Sequence, residues 1–461
     1  MYTDGQVDAL GVRQHALIRV ALAASIFATS CAAASTAPPA ESPPARSTAS
    51  AHGASPLPFI EDDYARALAE ARRSGRPIFV DAWAPWCHSC LSFREYVLTD
   101  ARLAPLRDAF VWLSIDTERD GNAPFVQKFS NDVWPTLWVI DPATERARFQ
   151  WGGAPTAAEL TALLDTARRD AAADLFVRAN ESYAAGRRDE AVAEARRALE
   201  AAPRATVHRA QIAEALVSWL SLARAHADCA ALAVAEHTDM PKGTSRATVL
   251  AVGLGCAVEA GAASAQAAAA LLGPALAAAR DGSGAMLADD RSGLYEEVCE
   301  ALHDTDAARA KEVAREWAAW LEREAAAAPT ARARVVFDAH RLGAYLAMGE
   351  PLRAVPMLEA SEREFPRDYN PPARLARAFL EAAQLDRAQA ALARAKARVY
   401  GPRAMRISML EADIAKAAGD RAAEERALAE ALARSANAVL SPAQRRLRDG
   451  VQRRLTALRA R

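Results

Sequence analysis

Two hydrophobic patterns divide this chain. Between Phe59 and about Arg168, short apolar runs of strand length alternate with helical segments, whereas after Thr156 the strand signals stop and helical spacing continues toward the C-terminus. In the first zone Ile78 to Trp83, Phe110 to Ile115, Thr136 to Ile140 and Arg146 to Trp151 read as strands. The last two are joined by a hairpin turn at Asp141-Pro142. Helices are predicted over Asp62 to Ser74, Cys87 to Leu98, Pro124 to Phe129 and from Thr156 onward, where Thr156 and Glu159 are spaced as a capping box. A mixed sheet with helices on both faces buries these elements.

The second zone is Ala-rich and punctuated by Gly, Pro and Asp. Its run YAAGRRDEAVAEARRALEAAP carries Gly186, Ala191, Ala195, Ala198, Leu199 and Pro203. These positions resemble a tetratricopeptide repeat, a pair of antiparallel helices with small residues where they cross. Gly349, Ala354, Leu358 and Pro366 fit the same template, and Ala383, Ala388, Leu392 and Ala395 follow 34 residues later. A weaker copy comprises Gly419, Leu428 and Ala431. Between about Arg204 and His340 the repeat signal fades while helical spacing persists, and DGSGAMLADD at 281–290 reads as an exposed loop. The expected fold class is thus an α/β domain at 59–168 followed by an all-α repeat solenoid at 170–461. Such a solenoid offers a concave surface to protein partners.

The N-terminus is not part of either pattern. Arg13 and Arg19 precede an apolar run from Val20 to Ala28, far short of the about 18 residues a bilayer-spanning helix needs, so residues 1–31 read as an export signal. The run ends in ATSC, which resembles a bacterial lipobox with Cys31 as the lipidated residue, although Ala28 stands where that motif usually has Leu. Ordinary cleavage near Ala32 to Ala34 is the alternative. Residues 32–58, rich in Ala, Ser, Thr and Pro, cannot offset their ordering entropy and read as a tether. No further apolar run is expected to approach a membrane span, which leaves the lipid anchor as the only membrane attachment.

Length and charge narrow the function classes. The 461 residues exceed one compact core, and a formal net charge of −1 offers no basic excess for nucleic acid. The six cysteines are too sparse for a disulfide-built scaffold. Cys229, Cys256 and Cys299 lie on apolar helical stretches and are expected to be buried and unreactive.

Cys87 and Cys90 are different, because DAWAPWCHSC sets them two residues apart. Three chemistries use such a pair. A zinc half-site needs two further ligands, and no second close Cys or His pair stands in the sequence. A structural disulfide over so short a loop gains little from unfolded-state entropy. A redox pair fits the context best, since the motif follows an apolar strand and opens a helix, where unpaired N–H groups stabilise a Cys87 thiolate. Cys90, one turn inside, would resolve the mixed disulfide.

FVDAWAPWCHSC, followed by Trp134-Pro135-Thr136, resembles the thioredoxin family, in particular its periplasmic thiol-disulfide oxidoreductase branch. The resemblance implies a catalytic pair Cys87 and Cys90. It implies that Asp81 is a buried acid that helps deprotonate the resolving thiol, and that Pro135 is a cis-proline facing the disulfide. Trp83 and Trp86 correspond to the aromatics that flank the site. Trp86 and Trp134, beside the sulfur and the proline, are expected to contact substrate, with His88 as a further contact. His88-Ser89 stands where thioredoxin itself has Gly-Pro, and a protonated imidazole there would favour the Cys87 thiolate and make the pair more oxidising. The implied activity is protein-disulfide reduction, without metal or cofactor, on protein substrates, with a separate redox partner and with protein partners on the repeats. The other reading is a repeat-based scaffold whose thioredoxin-like domain only binds.

Overall fold

The computed structural model describes residues 55–169, 174–436 and 438–460. The expected export signal, Cys31 and most of the 32–58 tether lie outside the described residues.

Five strands, β1 (Ile60–Glu61), β2 (Ile78–Trp83), β3 (Val111–Asp116), β4 (Thr136–Asp141) and β5 (Arg146–Gly152), form one sheet in the order β1-β3-β2-β4-β5. β2 is parallel to β3 and antiparallel to β4, so it lies at the centre with Val80 opposite Leu113 on one side and Trp138 on the other. β1 is the one strand not expected; two residues are too few for a visible alternation.

Successive residues of a strand face opposite sides. Ile78, Val80 and Ala82 share a core with Ala67 and Ala71 of the Tyr64–Ser74 helix and with Phe125 and Phe129. Phe79, Trp112, Leu137 and Val139 share the other core with Phe93, Val97, Leu160 and Leu163. Asp81 and Trp83 are in phase with Phe79, which directs them to the side of the cysteine helix. The Thr156–Glu159 capping box forms as expected, with the Thr156 N–H donating to Glu159 Oε2 at 2.9 Å.

The core on that second face continues without a break into the helical half, through Phe176, Ala179 and Tyr183. Helices follow in consecutive packed pairs, among them Leu175–Ala184 with Arg188–Ala201, Asn370–Glu381 with Leu385–Lys396, and Arg403–Ala417 with Arg421–Arg434. Their short connections make partners antiparallel. Ala191, Ala195 and Ala198, like Ala388, Ala391 and Ala395, are buried where the helices cross. The stretch from Arg204 to His340 is also helical, from Val207–Leu222 through Ala331–Val335 to the start of Asp338–Met348.

Two expectations are corrected by these helices, and the cysteines among them take a definite state. The loop read over 281–290 ends early, because Ala288–His303 is a helix and Asp289 is buried in it. Cys229 and Cys256, buried as expected, are joined as a disulfide with Cα atoms 6.1 Å apart. Their helices approach closely because Gly253 has no Cβ; one built there would lie 2.1 Å from Ala233 Cβ. Cys299 is the buried thiol that was expected, and burial pushes it up to about 12. Finally, Gly261–Ala279 is long and apolar enough to cross a membrane by length and composition. In this structure its Leu271, Ala275 and Leu276 are buried among neighbouring helices.

Candidate active site

The chain leaves β2 at Trp83, turns through Ala84-Pro85-Trp86 and enters the helix His88–Ser92, which continues as a wider turn over Phe93–Val97. Cys87 is the residue before that helix, and its Sγ accepts the Cys90 N–H at 3.0 Å. The two cysteines are joined as a disulfide with Cα atoms 5.2 Å apart. The Trp134-Pro135 bond is cis, and the Pro135 carbonyl oxygen accepts the Gly153 N–H at 2.9 Å.

Cys87, Cys90, Trp134 and Ala84 form one buried apolar cluster, with Trp83 and Trp86 packed against it. The rings of Trp86 and Trp134 meet edge to face at 5.0 Å. Trp134 Nε1–H donates to Thr117 Oγ1 at 2.8 Å, and Trp86 Nε1–H donates to Glu118 Oε1 at 2.9 Å.

Asp81, on β2, is fully buried. Its Oδ2 accepts Arg94 Nη1 at 3.2 Å, while Oδ1 has no hydrogen-bond partner. Burial pushes the Asp81 carboxyl up to about 6, with Arg94 opposing the rise. Arg94 also donates to Ser114 Oγ at 2.8 Å and lies over the Trp83 ring at 3.9 Å. Arg94 was not anticipated, although an arginine four residues after Cys90 on a helix's inner face is a visible signal.

The helical half covers this site. Ala443, from the helix Pro442–Arg459, belongs to the cysteine cluster, and Cys87 keeps 5% and Cys90 0% of their surface. Asn370 Nδ2 donates to the Pro85 carbonyl oxygen, the Arg403 N–H donates to Glu118 Oε2 at 2.6 Å, and Tyr400 O–H donates to Asp116 Oδ2 at 2.7 Å. The Arg403 guanidinium lies over the Trp86 ring at 4.6 Å. Nothing local in the sequence pairs residues so far apart, so Glu118, Asn370, Arg403 and Ala443 were all missed.

His88, expected at a substrate-facing position, is placed differently. It is buried against the helical half, with Nδ1 2.8 Å from Asp289 Oδ1. His340 Nε2 lies 2.6 Å from the same oxygen. Burial first and His340 second push His88 down to about 4 against the pull of Asp289, so it is neutral at pH 7. Burial raises Asp289, but the two imidazoles outweigh it and hold the carboxylate well below its usual range. These three residues carry metal-capable donors within 4.8 Å of one another. Two ligands on a tetrahedral zinc with bonds of about 2.0–2.1 Å stand about 3.3 Å apart, whereas both nitrogens are at direct hydrogen-bond distance from the oxygen. The trio is therefore hydrogen-bonded as it stands.

Residues 60–142 match the thioredoxin-like family model. A thiol:disulfide interchange protein DsbD of Pseudoalteromonas atlantica is 33% identical over 82 residues, covering 17% of this chain and 14% of that protein. Its counterpart of the same name from Colwellia psychrerythraea is 31% identical over 118 residues, covering 25% of this chain and 19% of that protein. The chain thus spans under a fifth of either relative's length. Among solved structures, a tetratricopeptide repeat protein from Parabacteroides merdae aligns with a TM-score of 0.38 and 12% identity, over 62% of this chain and 97% of its own. With the β2-to-helix position of the cysteines and the paired helices that follow, the chain is a thioredoxin-like domain joined to a helical-repeat domain.

Proposed function

We propose that this protein is an exported, lipid-anchored thiol-disulfide oxidoreductase that reduces protein disulfides through Cys87 and Cys90. The observation that carries the reading is the Cys87–Cys90 pair at the head of the helix after β2, in a thioredoxin-like domain. Both relatives are thiol:disulfide interchange proteins by name. The Cys229–Cys256 disulfide suits an oxidising compartment, as the export signal and Cys31 do. The domain limits we assign are 59–168 for the redox part and 170–461 for the repeats.

The reaction runs in two exchanges. The Cys87 thiolate attacks one sulfur of a substrate disulfide, forming a mixed disulfide and releasing a substrate thiolate that takes up a proton. Cys90, its proton passed toward Asp81, then attacks the Cys87 sulfur, closing the Cys87–Cys90 disulfide and releasing the second substrate thiol. Two electrons and two protons have moved to the substrate, and a dithiol partner must restore them. Pro135 faces the pair, and Trp86 and Trp134 shape the approach. A neutral His88 lends no positive charge to the thiolate, which favours reduction over oxidation.

The burial of Cys87 under Ala443 supports a second reading, a repeat-based scaffold whose thioredoxin-like domain only binds. Insulin reduction by the full chain with dithiothreitol separates the two. Turnover that disappears in Cys87→Ser supports the enzyme, and absence of turnover by the wild type at micromolar concentration supports the scaffold.

A further inference from the structure

The seam between the sheet and the first repeat helices is not closed everywhere. A recess opens in it where the loop 130–135 carries Trp134 into the cysteine cluster. Val133, Trp151 and Gly152 form one side, and the other is formed by Tyr183 of the helix Leu175–Ala184 with Trp219 of the helix Val207–Leu222. Both walls are held in place. Gly152 stands opposite Thr136 in the sheet, and the Gly153 N–H donates to the Pro135 carbonyl oxygen at 2.9 Å, which ties the loop to the end of β5. The Tyr183 and Trp219 rings stack with centroids 4.3 Å apart at 8°, and the Arg188 guanidinium lies 3.8 Å from the centroid of the Tyr183 ring. Two of the polar groups around the recess are already committed: Arg188 Nη2 donates to Asp132 Oδ2 at 2.9 Å, and Ser218 Oγ donates to the Glu214 carbonyl oxygen at 2.7 Å. Gln150 is different. It lines the recess and is only 7% exposed, yet its side-chain amide has no hydrogen-bond partner among the described residues. A buried amide left unpaired is costly, so its N–H and C=O are offered to whatever enters.

The position of the recess says what would enter. Trp134 packs on Cys87 and Cys90, and Val133 precedes it, so a polypeptide whose disulfide reaches Cys87 beside Trp134 has its neighbouring residues at this opening. We propose that the recess is a substrate subsite, which takes an apolar side chain next to the substrate's cysteine while the Gln150 amide takes the backbone of the same segment. The substrate class follows. In a folded protein an apolar neighbour of a disulfide is mostly buried, so this subsite favours unfolded or wrongly oxidised polypeptides over folded ones. The helices that cover Cys87 come from farther along the chain, through Asn370, Arg403 and Ala443, whereas Tyr183 belongs to the core that continues from the sheet. Opening the cover therefore leaves the recess intact. This inference rests on the oxidoreductase reading above.

The test is a single turnover by full-length protein that has been reduced and freed of reductant. Its probes are two peptides, identical except for Leu or Ala beside one of two cysteines joined as an intramolecular disulfide. In each turnover the Cys87–Cys90 dithiol passes two electrons and two protons to the peptide disulfide, so that the peptide dithiol and the Cys87–Cys90 disulfide form in equal number, both read by alkylation and mass. Each rate is divided by that with dithiothreitol, which corrects for the peptide's own reactivity. The Leu peptide should react at least about tenfold faster than the Ala peptide, the scale of burying its extra carbons. Leu222 is half-buried and lines the same recess, so Leu222→Asp sets a charge against the apolar side chain and should bring the ratio under threefold. Ala215→Leu fills the recess from a helix position, should do the same, and carries the test if Leu222→Asp does not fold. A tenfold ratio that survives in a folded variant places the selection elsewhere and overturns the inference. Reduction of oxidised glutathione by the wild type, with the two peptides reduced alike or not at all, overturns it while leaving the oxidoreductase intact. A wild type that reduces neither peptide nor oxidised glutathione overturns both.

Discussion

Asn370 of the helical domain donates from Nδ2 to the carbonyl oxygen of Pro85 at 3.1 Å, two residues before Cys87. With Arg403 on Glu118 and Ala443 in the cysteine cluster, this contact places the helical half across the approach to the sulfur. A substrate disulfide reaches Cys87 only if part of that contact opens.

Gly401 offers the sharpest way to loosen it. Its φ of 61° is left-handed, and a Cβ there would come 1.9 Å from the Glu118 carbonyl oxygen, a backbone atom that cannot move aside cheaply. Gly401→Ala should separate this part of the interface, destabilise the protein by about 1–3 kcal/mol and raise the alkylation rate of reduced Cys87 at least tenfold. Mass spectrometry after timed iodoacetamide exposure measures it. An unchanged rate means the contact does not limit access.

Cys90→Ser removes the resolving thiol, so a mixed disulfide at Cys87 should accumulate with whatever the protein reduces. Non-reducing gels of the full-length variant, followed by mass identification, read the trapped set. If the repeats select substrates, replacing exposed repeat residues changes that set without changing insulin reduction.

Asp81 predicts a pH profile. Its carboxyl is pushed up to about 6 and Oδ1 is free to take a proton, so the rate of the resolving step should rise through about pH 6 as Asp81 ionises. Asp81→Asn should abolish that rise and slow the step by about 10²-fold, within the range for a general base. A profile that keeps its inflection in Asp81→Asn assigns the proton elsewhere.

His88 predicts acid sensitivity of the fold. Its folded value of about 4 is below the ordinary 6.5, so the unfolded chain takes a proton that the folded protein refuses until about pH 4. The stability it confers is complete above 6.5 and is lost as pH falls through about 4. At roughly 1.4 kcal/mol per pH unit this amounts to on the order of 3 kcal/mol. Asp81 runs the other way, being raised, so its contribution is complete below 3.8 and is lost as pH rises through about 6. Melting temperatures of wild type and His88→Asn compared at each pH isolate the histidine, and their difference should shrink toward acid.

Cys31→Ser tests the anchor. Wild-type protein expressed with its own N-terminus should partition into detergent and carry an added lipid mass, and the variant should be released into the soluble envelope fraction. Wild-type protein that is already soluble and unlipidated removes the anchor from the proposal.

The local parts of this protein were legible because their signals are local. Ile78 to Trp83 is apolar on both faces and so declares a central strand, Thr156 and Glu159 declare a helix start, and Cys87 and Cys90 declare their chemistry by following that strand. The helix pairs showed themselves through small residues such as Ala191 and Ala388 at a repeating spacing. What the tertiary structure alone decided is which distant groups meet. Asp289 reads as part of an exposed acidic loop, and only the packing of Ala288–His303 against the cysteine helix buries it on His88. Cys229 and Cys256 pair only because Gly253 lets their helices close, and Ala443 is an ordinary helix alanine until it comes to rest in the cluster around Cys87. Periodicity and capping follow from interactions within a few residues, whereas these contacts depend on how whole helices stack, which no short window of sequence encodes.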